Sequence, residues 1–115
     1  MKIERFEDVL SWQKSQDLAV DIYKLFNELK DYSFKDQVCR ASVSISNNIA
    51  EGFERYSNKE LVRFLFISNG STAEVKSMLY LAYRLKYIDL KTRDDLIKKC
   101  EEISRIIKGF IRSIK

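Results

Sequence analysis

Residues 57–86 read SNKELVRFLFISNGSTAEVKSMLYLAYRLK, a pattern that predicts one long helix. Ser57 and Glu60 have the spacing of a capping box, in which each side chain bonds the backbone N–H of the other residue at the start of a helix. From there, side chains that can be buried recur every three or four residues, as the inner face of a helix requires. This heptad-like seam consists of Leu61, Leu65, Ser68, Thr72, Val75, Leu79 and Ala82.

Gly70 lies in the middle of this predicted helix and leaves two interpretations of it. A glycine inside a helix is about 1 kcal/mol less favourable than alanine, so a break or kink at Gly70 is one of them. The other is a continuous helix, which we favour because the hydrophobic repeat keeps its phase on both sides of the glycine.

Three further helices are predicted, two before this one and one after it. The first starts near Val9, the second is capped by Ser33, and the last is capped by Thr92 with acidic residues in its first turn. Because the connections between the helices are short, neighbouring helices are expected to be antiparallel. The sequence therefore predicts an all-α fold, an antiparallel up-and-down four-helix bundle in a single domain of residues 1–115, with helices at about 9–30, 34–54, 58–87 and 93–114.

The composition argues against most classes of enzyme. The 115-residue chain has no His, which is the commonest general base and zinc ligand, and its two cysteines, Cys39 and Cys100, are far apart in the sequence. The chain also has no Gly-rich loop of the kind that cradles a phosphate. We therefore predict a protein that is not an enzyme and that has neither a metal ion nor a cofactor.

The start of the chain and its uncharged stretches bear on its location. Charged side chains occupy most of residues 2–8, so no secretory signal is predicted there. The longest uncharged stretches, residues 41–50 and 64–73, are far shorter than the roughly 20 apolar residues that span a bilayer. With thiols that are expected to be reduced, the chain is predicted to be cytoplasmic, without attachment to a membrane.

A belt of polar side chains crosses the second and third predicted helices. On the second helix the positions Ser44, Asn48, Glu51 and Arg55 recur at intervals of four, three and four residues, so they share one stripe of its surface. The belt consists of Arg40, Ser44, Asn48, Glu51, Arg55, Ser71 and Glu74.

The polar belt has two interpretations. One is a small-molecule or catalytic pocket built on Glu51 and Glu74, since paired carboxylates serve as acid and base when their environments separate their pKa values. The other is a structural network that fixes the register of the helices, which we favour because no nucleophile has a base nearby. In either case Glu74 is expected to be half-buried and to meet Arg40 or Asn48 of the neighbouring helix.

The formal net charge of +4 is unevenly distributed along the chain. Residues 1–32 carry five basic and seven acidic side chains, whereas residues 91–115 carry eight basic and four acidic ones. These C-terminal cations either complement the helix dipole and stay solvated, or they contact the phosphates of a nucleic acid. The candidate nucleic-acid-binding residues on the last helix are Lys98, Arg105, Lys108, Arg112 and Lys115.

The chain has more large apolar side chains than a core of this size can bury. On the third helix Phe66, Tyr80 and Tyr83 fall outside the predicted seam. Surplus apolar surface of this kind is typical of protein–protein contacts, so we predict that it mediates self-association. Stacking of nucleic-acid bases on the aromatic rings and simple amphipathic packing are the alternatives.

Three segments carry a family resemblance. Residues 6–15 read FEDVLSWQKS, residues 44–52 read SISNNIAEG, and residues 70–74 read GSTAE. These segments resemble the four-helix-bundle proteins encoded in 23S rRNA gene intervening sequences. The resemblance implies an up-and-down bundle that assembles as a homopentamer. The molecular activity of that family is not established, and its genomic setting implies a link to rRNA.

The charge pattern and the resemblance together predict a function. We expect a non-enzymatic, oligomeric interaction module that binds RNA or a ribonucleoprotein through basic surfaces of the last helix. One alternative is an assembly factor that contacts another protein and binds no nucleic acid. Another is a protein with a small-molecule site at Glu51 and Glu74.

Overall fold

The computed structural model describes residues 3–114 as four α-helices preceded by one turn of 3-10 helix at Phe6–Asp8. The helices are α1 (Leu10–Leu25), α2 (Tyr32–Phe53), α3 (Asn58–Arg84) and α4 (Leu90–Ser113). α1 packs against α2 and α4, and α3 packs against the same two helices. The bundle measures 44 × 22 × 19 Å, as expected for long helices lying side by side. The predicted all-α four-helix bundle is confirmed.

Each helix contributes fully buried aliphatic side chains to one core. On α3 the predicted seam is confirmed, because its members from Leu65 to Ala82 are all buried. The helix also runs through Gly70 without a break, as expected from the constant phase of its hydrophobic repeat. The largest side chains with no more than 1% exposure include Leu18, Ile22, Ile45, Ile49, Leu65, Leu79, Ile103 and Ile107.

Two of the predicted helix caps are wrong. Asp31, and not Ser33, caps α2, because its Oδ1 accepts a hydrogen bond from the N–H of Phe34 at 3.1 Å. Asp89 caps α4 in the same way by accepting from the N–H of Thr92 at 2.8 Å. An aspartate at this position satisfies an N–H group that the helix leaves unbonded and places its charge at the positive end of the helix dipole. Both helices therefore begin earlier than predicted.

The start of α3 agrees with the sequence, whereas α1 ends earlier than predicted. Ser57 caps α3 by accepting a hydrogen bond at its Oγ from the N–H of Glu60 at 3.3 Å. At the end of α1, Leu25 is the last helical residue and Phe26 starts a turn. The turn buries Phe26 almost completely, with its ring 5.5 Å from that of Phe34 on α2. Burial of this aromatic ring stabilises the protein more than one further turn of α1 would.

α2 and α3 approach each other closely at Gly52. A Cβ atom at this position would lie 2.6 Å from the Cβ of Phe64 on α3, which is closer than real Cβ atoms come. The ring of Phe64 is also held by two guanidinium groups, those of Arg55 at 5.0 Å and Arg63 at 4.6 Å from its centroid. The packing of the two helices therefore requires a glycine on α2 at this point.

The connection between α3 and α4 is tied to the connection between α1 and α2. After α3 the chain reverses at Lys86, whose φ is 65°, and the N–H of Tyr87 bonds the carbonyl of Ala82 at 2.9 Å. The Tyr87 ring packs edge-on against Phe34 with 5.4 Å between centroids, and its hydroxyl donates to Oδ2 of Asp31 at 2.6 Å. Asp31 thus caps α2 and anchors the other connection at the same end of the bundle.

Replacing Tyr87 with Phe is expected to lower the midpoint of thermal unfolding, and to lower it more at neutral pH than in acid. The hydroxyl of Tyr87 and the N–H of Phe34 both lower the pKa of Asp31. Because this pKa is lower in the folded than in the unfolded chain, the stabilisation is complete above the ordinary pKa of an aspartate and is lost as the pH falls. Calorimetry of both proteins at neutral pH and at about pH 3 measures the effect. An equal difference at both pH values would contradict this assignment.

Candidate nucleic-acid interface

The hydroxyl groups of the polar belt join α2 to α3. The Oγ of Ser44 donates to the Oγ of Ser71 at 2.6 Å, and the side-chain amide of Asn48 donates to the carbonyl of Ser44 at 2.7 Å. One turn away, the buried Oγ of Ser68 on α3 donates to the carbonyl of Ile45 on α2 at 2.7 Å. These bonds satisfy polar groups at the interface and hold the two helices in one register.

The expectation that Glu74 is half-buried is wrong. Its side chain is exposed, and its Oε2 accepts a 3.5 Å hydrogen bond from the side-chain amide of Gln37. The helix turns Val75 into the core, which leaves the preceding position on the outer surface. Arg40 is not its partner, because the guanidinium pairs with Asp36 on its own helix at 2.9 Å.

The two carboxylates of the predicted small-molecule site do not share a cleft in the described structure. Glu51 borders a cleft of about 280 Å³ beside α2 and pairs with Arg55 at 2.9 Å. Glu74 is not part of the lining of this cleft. The side chains around it are Tyr23, Arg40, Val43, Ser44, Asn47, Asn48 and Glu51.

The cations of α4 divide into a paired and an unpaired set. The paired set has nitrogen–oxygen distances of 2.6 to 2.9 Å and comprises Lys91 with Asp95, Arg93 with Asp94, and Lys99 with Asp21. The unpaired set, which we call the cationic face, is exposed and forms no ion pair within residues 3–114. Lys115, which the sequence places with this set, lies outside the described residues. The cationic face consists of Lys98, Arg105, Lys108 and Arg112.

The cationic face follows one side of α4. Its members are separated by seven, three and four residues, which correspond to whole turns of a helix. Glu101 lies on the same side between Lys98 and Arg105, where an acidic group would repel a phosphate. Its carboxylate is held by Lys76 of α3 at 3.0 Å, and this bond raises the pKa of Lys76. The acid is therefore neutralised by α3, and the side of α4 keeps its positive charge.

A groove of about 560 Å³ runs between α3 and α4 beside the cationic face. Cys100 borders it, and burial raises the pKa of its thiol to about 12, so the thiol stays protonated at neutral pH. Lys76 also borders the groove and was not among the residues that the sequence singled out. No local pattern identifies it, because its role depends on how α3 meets α4. The polar lining consists of Asn69, Thr72, Lys76, Glu101, Ser104, Arg105 and Lys108.

Residues 3–114 contain neither a cluster of metal ligands nor a helix that could span a membrane. In this part of the chain no three His, Cys, Asp or Glu side chains lie together as metal ligands do. None of its helices combines the length and the apolar character that crossing a bilayer demands. Cys39 and Cys100 are both buried free thiols. The cationic face and the groove are therefore the features that we consider as binding sites.

A sequence profile of the 23S rRNA-intervening sequence protein family matches residues 7–109. The chain belongs to this family. A crystal structure from Bacteroides thetaiotaomicron, of a protein of unknown function from the S23 ribosomal protein family, is similar to it with a TM-score of 0.82 and 27% sequence identity. The similarity covers 89% of this chain and 98% of that chain. No curated protein matches the chain. The resemblance seen in the sequence is confirmed.

In this 23S rRNA-intervening sequence protein, two of the three motifs that carried the resemblance lie on neighbouring helices and touch. Residues 44–52 belong to α2 and residues 70–74 belong to α3, and the Ser44–Ser71 hydrogen bond joins them. Gly52, the last residue of the first motif, allows the close contact with Phe64. These motifs therefore account for the packing of α2 on α3, whereas the cationic face lies on α4, outside both of them.

Proposed function

We propose that this protein is a non-enzymatic, oligomeric module that binds structured RNA through the cationic face. The observation that carries the proposal is the division of the cations on α4. Carboxylates neutralise Lys91, Arg93 and Lys99, while the four cations of the cationic face have no ion pair within residues 3–114. Cations held together in this way are available to neutralise phosphates. The name of the family, which refers to 23S rRNA, supports RNA as the polyanion.

The dimensions of the cationic face suit a nucleic-acid backbone. From Lys98 to Arg112 it extends about 21 Å along the helix, at about 1.5 Å per residue. Each phosphate that a Lys or Arg neutralises releases condensed counterions, so binding strengthens as salt is removed. One copy presents few cations for this purpose. An oligomer that repeats the face presents several such sets to one RNA and binds more tightly.

The proposal includes self-association through the outer surface of α3. Phe66 is 61% exposed there, and Tyr80 and Leu81 are each 45% exposed. Between them lies Gly70, where a Cβ would have no packing neighbour within 4 Å among residues 3–114, apart from the adjoining residues of its own helix. Exposed aromatic and small side chains suit close contact with another protein surface. The family resemblance supports a homopentamer as the assembly.

Replacing Phe66 with Glu is expected to reduce the mass of the assembly without unfolding the helices, because a charge at the centre of an apolar contact loses its hydration. Tyr32→Glu is the matched control, since Tyr32 is 68% exposed at the start of a different helix. Light scattering should give several times 13.6 kDa for the wild type and the control, and five times for a pentamer. A wild-type protein that is monomeric at micromolar concentration would rule out the self-association.

Two other functions predict different results. An assembly factor that binds only protein would show no affinity for RNA at low salt and would retain its partner after nuclease treatment. A small-molecule site at the polar belt would lose its ligand in a Glu51→Gln variant that keeps its fold, since Glu51 lines the cleft there. The test of the proposed function is the affinity for a structured RNA as a function of salt. We place the protein in the cytoplasm, where such an RNA and reduced thiols are both expected.

A further inference from the structure

The groove between α3 and α4 has an excess of positive charge. Lys76, Arg105 and Lys108 contribute cations to its lining, and Glu101 is its acidic side chain. In the cleft beside the polar belt, by contrast, the positive charge of Arg40 is matched by the negative charge of Glu51, so the lining has no net charge. The volume of about 560 Å³ is also in the range of small-molecule sites, which are typically about 300 to 1,000 Å³.

Asn69 adds a neutral hydrogen-bond donor to the groove. The hydroxyl of Ser104 on α4 donates to the Oδ1 of Asn69 at 2.7 Å, which occupies the acceptor end of the amide. Its NH₂ group has no acceptor within residues 3–114 and therefore remains able to donate. A donor of this kind next to cations suits a ligand that carries only acceptor oxygens.

Lys76 remains able to bind a ligand although it is ion-paired. Its ammonium group has three N–H donors, and the bond to Glu101 at 3.0 Å uses one of them. That bond also raises the pKa of Lys76, so the group is charged at neutral pH. Two donors are left for an anion between α3 and α4, close to Arg105 and Lys108.

We propose that this groove is a phosphate-binding site, in which Asn69 and Lys76 of α3 complete the cationic face of α4. A phosphate group offers several acceptor oxygens and at least one negative charge, which match the free donors and the net charge of the lining. Phosphates of this kind occur in an RNA backbone and in small phosphorylated compounds. The RNA source rests on the function proposed above, whereas the small-compound source does not.

The test uses two probes, inorganic pyrophosphate and a structured RNA, and measures the Kd of each for variant proteins. Lys76→Gln is expected to raise the Kd for each probe about tenfold, as loss of a charge-assisted hydrogen bond does. Asn69→Ala, which does not change the charge of the groove, is expected to raise both Kd values about fivefold. Lys99→Gln is the matched control, because Lys99 is an ion-paired lysine outside the groove, held by Asp21 at 2.6 Å. It should change either Kd less than about twofold.

The possible outcomes distinguish failure of the groove proposal from failure of the proposed function. Weaker binding of both probes by Lys76→Gln and Asn69→Ala supports a site that receives RNA phosphates. Weaker binding of pyrophosphate alone supports a site for small phosphorylated compounds. If RNA binds but both variants leave the two Kd values unchanged, the groove proposal is overturned and the proposed function stands. If neither probe binds the wild type at low salt, both are overturned.

Discussion

Replacing Gly52 with Ala is expected to lower the free energy of unfolding by about 2 kcal/mol. The new methyl group would lie 2.6 Å from the Cβ of Phe64, and neither atom can move by rotation of a side chain, since each is attached directly to a helix backbone. α2 and α3 would have to separate, which would lengthen the Ser44–Ser71 hydrogen bond and loosen the core around it. The figure of about 2 kcal/mol is the net change, in which the higher helix propensity of alanine offsets about 1 kcal/mol of a packing cost of about 3 kcal/mol.

Gly109→Ala is the matched control for this substitution. It is also a helical glycine, but a Cβ there would lie an ordinary 3.8 Å from the Nη2 of Arg112. The same chemical change should therefore raise the free energy of unfolding by up to about 1 kcal/mol. Urea unfolding at one fixed protein concentration measures both variants. A Gly52→Ala protein as stable as the wild type would refute the close contact between α2 and α3.

Replacing the cationic face with glutamine is expected to weaken RNA binding about 100-fold at low salt. The variant combines Lys98→Gln, Arg105→Gln, Lys108→Gln and Arg112→Gln. The factor corresponds to about 0.7 kcal/mol for each exposed charge that meets a phosphate. The fold should survive, because these side chains are exposed and form no ion pair within residues 3–114. Circular dichroism and thermal unfolding verify that point.

A second variant controls for net charge. It removes the same number of cations at exposed positions outside α4, by the changes Lys24→Gln, Lys30→Gln, Lys59→Gln and Arg84→Gln. We expect it to weaken RNA binding by no more than about threefold, since distant exposed charges are largely screened by salt. Equal losses in the two variants would show that RNA responds to total charge and would exclude a specific role of the cationic face.

The helices were predictable where the sequence pattern is local. The seam of α3 and the Ser57 cap depend on residues within a few positions of each other, and both agree with the structure. The caps of α2 and α4 were mistaken because Ser, Thr and Asp are similarly good caps, and the pattern does not show which one meets a free N–H. The end of α1 depends on burial of Phe26 against another helix, which no local pattern contains.

For the candidate site, too, the sequence predicted only what depends on residues close together in one helix. Spacing alone placed the cationic face on one side of α4, because a helix has a fixed period. Spacing did not show that Glu74 is exposed, or that Lys76 neutralises Glu101 across the groove, because both facts depend on the rotation of α3 against its neighbours. The sequence therefore located the charge that α4 carries, and the structure located the residues of α3 that adjoin it.

The most direct test of RNA binding is the slope of log affinity against log salt concentration for the wild type and for the glutamine variant of the cationic face. We predict measurable binding to structured RNA at low salt and a steep loss of affinity as salt is added. The glutamine variant should give a shallower slope, reduced by about one for each phosphate contact removed. Absence of wild-type binding at low salt, or equal slopes for the two proteins, would contradict the proposed function.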